Sequence, residues 1–117
     1  MTGNEYQKAA LRTANTESQT QNSLLINGVL GLCGESGEVA DLVKKARFQG
    51  HILDVDHIAE ELGDVAWYLA VTASAIGKNL DDILTSNVDK LRKRYPEGFD
   101  CERSVHRPEY EGGACHD

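Results

Sequence analysis

Proline, aromatic side chains and long apolar runs are all scarce in this chain of 117 residues. Its two prolines, Pro96 and Pro108, both lie in the last quarter, so helices can continue uninterrupted through most of the sequence. No run of 18 apolar residues is present, which argues against a membrane-spanning helix. The first residues, MTGNEYQKAA, have neither the basic start nor the apolar segment of a signal peptide. We therefore expect a cytoplasmic protein with no membrane contact.

Cysteine and basic residues are also in short supply. Cys33, Cys101 and Cys115 are odd in number and share no C-x-x-C spacing, which argues against a disulfide framework and a structural zinc site. The chain has 12 basic and 19 acidic residues, which gives a net charge of -7. No basic stripe is long enough to neutralise many phosphates, so we expect no binding of a nucleic acid polymer. If an acidic chain of this kind binds a small anion, a divalent cation is the natural bridge between them.

Apolar residues recur at intervals of three and four along four segments, and no segment alternates at period two, which predicts an all-α fold. The four predicted helices begin at or near Asn4, Ser23, Asp56 and Asn79. Gly77 suits the left-handed end of the third helix and Pro96 ends the fourth. In the fourth helix the side chains expected to face the core are Ile83, Leu84, Val88 and Leu91. We predict one antiparallel bundle of about four helices over residues 1–99, followed by an irregular tail over 100–117.

The stretch GVLGLCGESGEV places a glycine at every third position from Gly28 to Gly37. Its spacing matches neither the phosphate-binding G-x-x-x-x-G-K-[ST] loop nor the dinucleotide-binding G-x-G-x-x-G turn. On a helix, each interior glycine costs about 1 kcal/mol relative to alanine. We therefore expect a neighbouring helix or subunit to approach this segment closely.

Two pairs of carboxylates flank the turn between the second and third helices. Glu35 and Glu38 share one helix face, and Glu61 and Asp64 share a face of the next helix. The midpoint between the pairs falls within RFQGH, so a hairpin turning at Gly50 brings four carboxylates to one site. Like charges repel at such distances, and a bound cation removes the repulsion.

Oxygen ligands favour a hard cation, Mg²⁺ with Mn²⁺ as a substitute, over zinc or copper. Neither motif has the histidine that a di-iron bundle would need. The alternative, that both pairs are solvated helix surface, stays open at this point.

The stretches LGLCGESGEVADLVKK and EELGDVAWYLA resemble the E-x-x-E and E-x-x-D signature of MazG-like nucleotide pyrophosphohydrolases, and the similarity continues through NVDKLRKRYPEGF. It covers about residues 24–99. The resemblance implies the all-α NTP pyrophosphatase fold and hydrolysis of a nucleoside triphosphate to monophosphate and pyrophosphate. The metal ligands that it implies for Mg²⁺ are Glu35, Glu38, Glu61 and Asp64. It also implies a homodimer or homotetramer in which neighbouring chains complete the site and pack against the glycines.

Hydrolysis between the α and β phosphates needs neutralised charge, a water in line and a proton acceptor. Glu60 or one of the ligands could accept the proton, and the alternative for Glu60 is an ordinary surface carboxylate. Asn87, Lys90 and Arg94 lie within about 60° of one face of the fourth helix. The resemblance points to the same stretch for phosphate contacts, whereas the alternative is a solvated helix end whose cations complement the dipole.

Lys45 shares the face of Glu38, although an ion pair with Asp41 explains it equally well. Tyr68 lies on the metal-bearing face and, with Trp67, could contact a base or sugar. Both aromatic residues suit a helical core equally well. We interpret His51 and His57 as loop or capping residues rather than ligands.

The sequence leaves three candidate functions open. The leading hypothesis is a Mg²⁺-dependent nucleotide pyrophosphohydrolase for house-cleaning or nucleotide-pool control. A specialised relative, an all-α dUTPase or dCTPase or a phosphoribosyl-ATP pyrophosphohydrolase, is the nearest alternative. A non-catalytic helical oligomer that binds nucleotide or protein is the alternative from another class.

Overall fold

The computed structural model describes residues 1–107, so Cys115, His116 and the rest of the predicted tail beyond 107 lie outside the described residues. Within that range the chain is all-helical and contains no strand, which confirms the predicted fold class. The helices are α1 (Gly3–Leu11), α2 (Gln21–Phe48), α3 (Val55–Ala75), α4 (Leu80–Arg94) and α5 (Cys101–Val105). None of these helices combines the length and the apolarity that crossing a bilayer requires.

Hydroxyl side chains place the first two helix starts slightly earlier than the sequence predicts. Thr2, rather than Asn4, caps α1, and its hydroxyl and the Glu5 side chain exchange hydrogen bonds with each other's backbone in a capping box. At α2 the Thr20 hydroxyl accepts a hydrogen bond from the Ser23 backbone N–H at 3.1 Å. Both corrections arise because a threonine two or three residues upstream supplies the cap.

Glycine and a capping aspartate set the turns on either side of α3. Gly50, in the turn after α2, and Gly77, directly after α3, both have φ of +73°, a conformation that glycine adopts without strain. Gly77 therefore ends α3 as predicted. The Asp54 carboxylate caps α3 by accepting a hydrogen bond from the His57 backbone N–H at 3.0 Å.

The chain divides into two compact units, Met1–Leu80 and Asp81–Asp117, and each is described by itself. In the first unit α2 and α3 form a hairpin. The backbone of α2 approaches α3 at Gly28, which meets Thr72, and at Gly31, which meets the ring of Tyr68. These partners lie almost equally far from the turn, so the helices run antiparallel with the register that the carboxylate spacing predicts.

Helix α1 packs against α3 and holds its end through one buried amide. Gln7 is 7% exposed, and the two hydrogens of its Nε2 are shared among three acceptors, Ala70 O, Ser74 Oγ and Lys78 O, at 2.9–3.3 Å. Its Oε1 accepts from Leu80 N at 2.9 Å. Every polar atom of this buried side chain is therefore satisfied, as burial requires. The apolar cluster beside it consists of Ala10, Ala70 and Leu80, with Tyr6, Trp67 and Leu69 packed around them.

In the second unit, the apolar face of α4 is solvent-accessible. Leu84, Val88 and Leu91 are 46%, 44% and 38% exposed, so the prediction that they face a core is wrong for the residues that the structure describes. Periodicity identifies an apolar helix face but not what covers it. A single helical turn, Cys101–Val105, occupies part of the segment predicted to be irregular.

Helix α2 carries apolar side chains on two opposite sides. One side faces α3, and the other forms an exposed stripe, which we call the outer stripe of α2. Its members are Ile26, Val29, Leu30, Cys33, Gly37, Ala40 and Phe48. Leu30 and Phe48 are 67% and 78% exposed. Exposed apolar stripes of this length are typical of surfaces that associate with another molecule.

The glycines of α2 differ in what surrounds them. A Cβ added to Gly28 or Gly31 would overlap Thr72 or Tyr68, which confirms that a neighbouring helix approaches closely there. A Cβ added to Gly34 or Gly37 would meet no described atom within 4 Å. Close packing within the chain thus explains the first two glycines and leaves the other two to a different cause.

We predict that Gly34→Ala raises the free energy of unfolding by about 0.5–1 kcal/mol, because alanine favours the helix and nothing obstructs its methyl group. Gly31→Ala should lower it by about 1–3 kcal/mol, because the methyl group forces the Tyr68 ring to move. Urea unfolding of both variants beside the wild type measures the two changes. A loss of stability in Gly34→Ala would contradict the open space around that glycine.

Candidate metal centre of the hairpin

Three carboxylates from two helices converge on the α2–α3 hairpin. Glu35 comes from α2, and Glu61 and Asp64 come from α3. One carboxylate oxygen from each lies within 4.8 Å of the other two. Glu35 and Glu61 are half-buried, whereas Asp64 is exposed, so the cluster opens to solvent on one side. The register set by the close contacts at Gly28 and Gly31 places α2 and α3 carboxylates opposite each other.

The fourth predicted ligand, Glu38, lies beside this group. It is exposed and does not belong to the three carboxylates within 4.8 Å of one another. Its negative charge nevertheless contributes to the raised pKa of Glu35 and of Lys45. The hairpin thus brings three of the four predicted ligands together and leaves Glu38 at the margin, and its role as a ligand stays a prediction.

The electrostatics of the cluster favour a bound cation. The pKa of Glu35 is raised from its ordinary value of 4.5, first by a hydrogen bond with Glu61, then by partial desolvation and by the charges of Glu61, Asp64 and Glu38. Without a cation, a proton on Glu35 relieves the repulsion between carboxylates. All three clustered groups offer oxygen, and oxygen sets of this kind suit hard divalent cations. The donor chemistry therefore fits a metal ion of the kind that the sequence predicts.

One histidine and one lysine of the same region, His57 and Lys45, each have a carboxylate partner on their own helix. His57 Nε2 lies 3.2 Å from Glu61 Oε1, one helical turn away. The Lys45 ammonium lies 2.8 Å from Asp41 Oδ2, which raises the pKa of Lys45 and lowers the pKa of Asp41. The structure therefore contains the ion pair between Lys45 and Asp41 that the sequence offered as the alternative. A substrate contact by Lys45 stays a prediction.

Both aromatic candidates take part in helix packing. The Tyr68 ring lies against Gly31 and contacts Trp67 edge to face, with ring centroids 5.0 Å apart. Trp67 Nε1 donates to the Thr13 hydroxyl at 2.9 Å, which ties α3 to the end of α1. These contacts account for both side chains as packing residues, and a contact with a base or sugar stays a prediction. Glu60 is exposed on α3, next to Glu61 in sequence but outside the cluster.

The predicted phosphate contacts lie on α4, in the second unit. Asn87 and Lys90 are exposed, and Arg94 is half-buried with its guanidinium 5.9 Å from the centroid of the Tyr95 ring. Tyr95 in turn lies 5.3 Å from Phe99, centroid to centroid. The predicted role of these three residues in phosphate binding stays a prediction.

Sequence reasoning assigned His57 to the helix start and missed its side-chain contact. The backbone N–H of His57 does join the cap, because it donates to Asp54. Its ring also contacts Glu61, four residues on, and i,i+4 spacing from a predicted ligand was the available signal.

Comparisons with known proteins identify a family whose match includes the α2–α3 hairpin and its carboxylates. Residues 19–99 match the family model described as the MazG nucleotide pyrophosphohydrolase domain. The chain is similar to the Gene 37 protein of Mycobacterium phage L5, with 37% identity over 73 residues, which is 59% of this chain and 64% of that protein. It therefore spans less than two thirds of the length of that relative. No solved structure matches the chain significantly.

We predict that Glu35→Gln stabilises the metal-free protein increasingly as the pH rises. Because the pKa of Glu35 is raised in the folded chain, the stability that its proton contributes is complete below pH 4.5 and is lost as the pH rises through the raised pKa. The glutamine amide can donate to Glu61 at any pH. In thermal melts with EDTA, the melting temperature of the variant should therefore exceed that of the wild type by an amount that grows as the pH rises above 4.5. A difference in melting temperature that does not change with pH would contradict the prediction. Glu17→Gln, an exposed carboxylate between α1 and α2, is the control.

Proposed function

The chain belongs to the family of MazG nucleotide pyrophosphohydrolase domains, and from this premise we propose that it hydrolyses a ribo- or deoxyribonucleoside triphosphate to the monophosphate and pyrophosphate. We propose Mg²⁺ as the metal, with Mn²⁺ able to replace it. The observation that carries the proposal is the convergence of Glu35, Glu61 and Asp64 across the hairpin. Such a reaction serves house-cleaning or control of nucleotide pools.

The proposed ligands are these three carboxylates together with Glu38, which lies at the edge of the group. When bound, Mg²⁺ would neutralise charge on the phosphate oxygens and lower the pKa of a water molecule. The ligands themselves fix where the polyphosphate can bind, because their negative charges repel it wherever no cation intervenes. The solvent-exposed side of the cluster, at Asp64, is the proposed entry side for substrate.

We propose Glu60 as the residue that takes a proton from the attacking water. It is adjacent to Glu61 in α3 but lies outside the ligand cluster, so its carboxylate is not needed for metal binding. A carboxylate within hydrogen-bond reach of the attacking water can act as its general base. A Glu60→Gln variant with unchanged turnover would transfer this role to one of the ligands.

Positive and polar groups for the phosphates are proposed to come from α4. Asn87, Lys90 and Arg94 share one helix face, and the chain carries a net charge of -7, so binding a polyanion needs local cations.

We further propose that the protein is a homodimer or homotetramer. The outer stripe of α2 exposes Ile26, Leu30 and Phe48 to solvent, and a second copy that covers it would remove this apolar surface from water. A partner at the stripe would also explain Gly37, whose Cα has open space around it within the described chain. A closely packed partner requires a small residue at such a position.

We expect Glu38→Ala and Asp64→Ala to lower turnover by two orders of magnitude or more while the helical circular dichroism stays unchanged, because each removes a proposed ligand. Release of pyrophosphate from a panel of ribo- and deoxyribonucleoside triphosphates, with Mg²⁺, Mn²⁺ or EDTA, measures the effect. The same panel identifies the preferred base and separates a broad enzyme from a specialised dUTPase, dCTPase or phosphoribosyl-ATP pyrophosphohydrolase.

Asp56→Asn is the matched control for this assay, because Asp56 is an exposed acid on α3 outside the cluster. It should retain the turnover of the wild type. Unchanged turnover in both ligand variants would disprove the metal site. A folded protein that binds metal but releases no pyrophosphate from any triphosphate would favour a non-catalytic binding role.

We expect Leu30→Glu to shift the protein toward monomer, because a carboxylate in the outer stripe would be buried without a partner at the proposed interface. Sedimentation equilibrium should show at least a ten-fold weaker association. Ile52→Glu is the control, since Ile52 is an exposed apolar residue of the turn, 92% accessible, and lies outside the stripe. A wild-type protein that sediments as a monomer at assay concentration would contradict the oligomer.

A further inference from the structure

The imidazole of His57 contacts one of the clustered carboxylates from the same helix. Its Nε2 lies 3.2 Å from Glu61 Oε1, which is hydrogen-bond distance, and the two residues are one turn apart. One oxygen of Glu61 also lies within 4.8 Å of an oxygen of Glu35, across the hairpin, and of an oxygen of Asp64. The Glu61 carboxylate therefore has a hydrogen-bond partner, His57, on its own helix and a carboxylate neighbour, Glu35, on α2.

We infer that His57 is a positioning residue for Glu61, and that its Nε2–H fixes the carboxylate in the orientation that faces Glu35 and Asp64. The inference rests on the proposed function, because it assigns Glu61 as a metal ligand. In the neutral tautomer with the proton on Nε2, the ring donates to Glu61 Oε1 and leaves the other oxygen of that carboxylate for the cluster.

The backbone of His57 is well placed to hold its ring in this position. The Asp54 carboxylate accepts a hydrogen bond from the His57 N–H at 3.0 Å, so the first turn of α3 is closed at the residue that carries the imidazole. Because this turn is capped, the backbone position from which the His57 side chain extends is fixed. Its contact four residues along the helix then needs only the side-chain torsions to be fixed.

Burial distinguishes the two side chains. The side chain of Glu61 is 15% exposed and that of His57 is 45% exposed, so the imidazole lies on the solvent side of the carboxylate. Repulsion from Glu35 and Asp64 favours rotation of Glu61 away from the cluster when no cation is present. The hydrogen bond from His57 opposes that rotation. Partners of this kind orient metal ligands, and their removal weakens metal binding by about 10- to 100-fold.

Titration of the nucleotide-free protein with Mn²⁺, monitored by electron paramagnetic resonance of the unbound ion, tests the inference. His57→Ala should weaken Mn²⁺ binding about ten-fold or more. His57→Gln should bind within about three-fold of the wild type, because its amide nitrogen supplies a donor as far along the side chain as Nε2. If His57→Ala does not fold, His57→Met replaces it as a side chain of similar length without the donor.

His51→Ala is the matched control, because His51 is an exposed histidine of the adjacent turn whose side chain makes no hydrogen bond or ion pair with residues 1–107. Mn²⁺ binding as tight in His57→Ala as in the wild type would overturn the inference and leave the proposed function intact. Binding as weak in His57→Gln as in His57→Ala would also overturn it, because the donor would not then be the cause. A wild type that binds no Mn²⁺ and releases no pyrophosphate would overturn the proposed function and this inference together.

Discussion

The register of the α2–α3 hairpin depends on close backbone packing at two glycines, and the carboxylate cluster depends on that register. Two contacts, one between Gly28 and Thr72 and one between Gly31 and Tyr68, fix the axial offset and the rotation of each helix relative to the other. A slip of one residue would turn a helix by about 100° and would move Glu35 away from Glu61. The contacts that establish the fold therefore also establish the geometry of the candidate site, four residues farther along α2.

The sequence predicts the hairpin and most of the cluster because two α-helices have the same rise per residue. Carboxylates at equal distances from a turn must then lie near each other, as Glu35 and Asp64 do. Glu38 lies outside the group of three carboxylates, and its role as a ligand stays a prediction. Spacing determines the helix face of a residue but not its rotamer, and the Glu38 charge acts on both Glu35 and Lys45. Helix starts are displaced for a similar reason, since the capping hydroxyl of Thr2 lies just upstream of the periodic pattern.

Periodicity also cannot distinguish a face that packs within the chain from one that packs against another molecule. The stripe on α4 that includes Leu84 and Val88 shows the same three- and four-residue spacing as the face of α2 that meets α3. Burial depends on contacts distant in sequence, and these appear only in three dimensions. The contact between His57 and Glu61, by contrast, is local and agrees with a simple i,i+4 rule. Local pairs are therefore the part of the site most accessible to sequence analysis.

The small volume at Gly31 has a consequence for the choice of ion. The Tyr68 ring occupies the space where a side chain at Gly31 would be, so the ring sets how closely α2 and α3 approach each other. The separation of the two helices in turn sets the distance between Glu35 and the carboxylates of α3. Mg²⁺ binds oxygen at about 2.0–2.1 Å, whereas Ca²⁺ uses about 2.3–2.6 Å and accepts looser geometry. A wider hairpin would thus suit the larger cation with every ligand unchanged. In the proposed metal site, ion selectivity would therefore depend on helix packing one turn away from the proposed ligands, as well as on the ligands themselves.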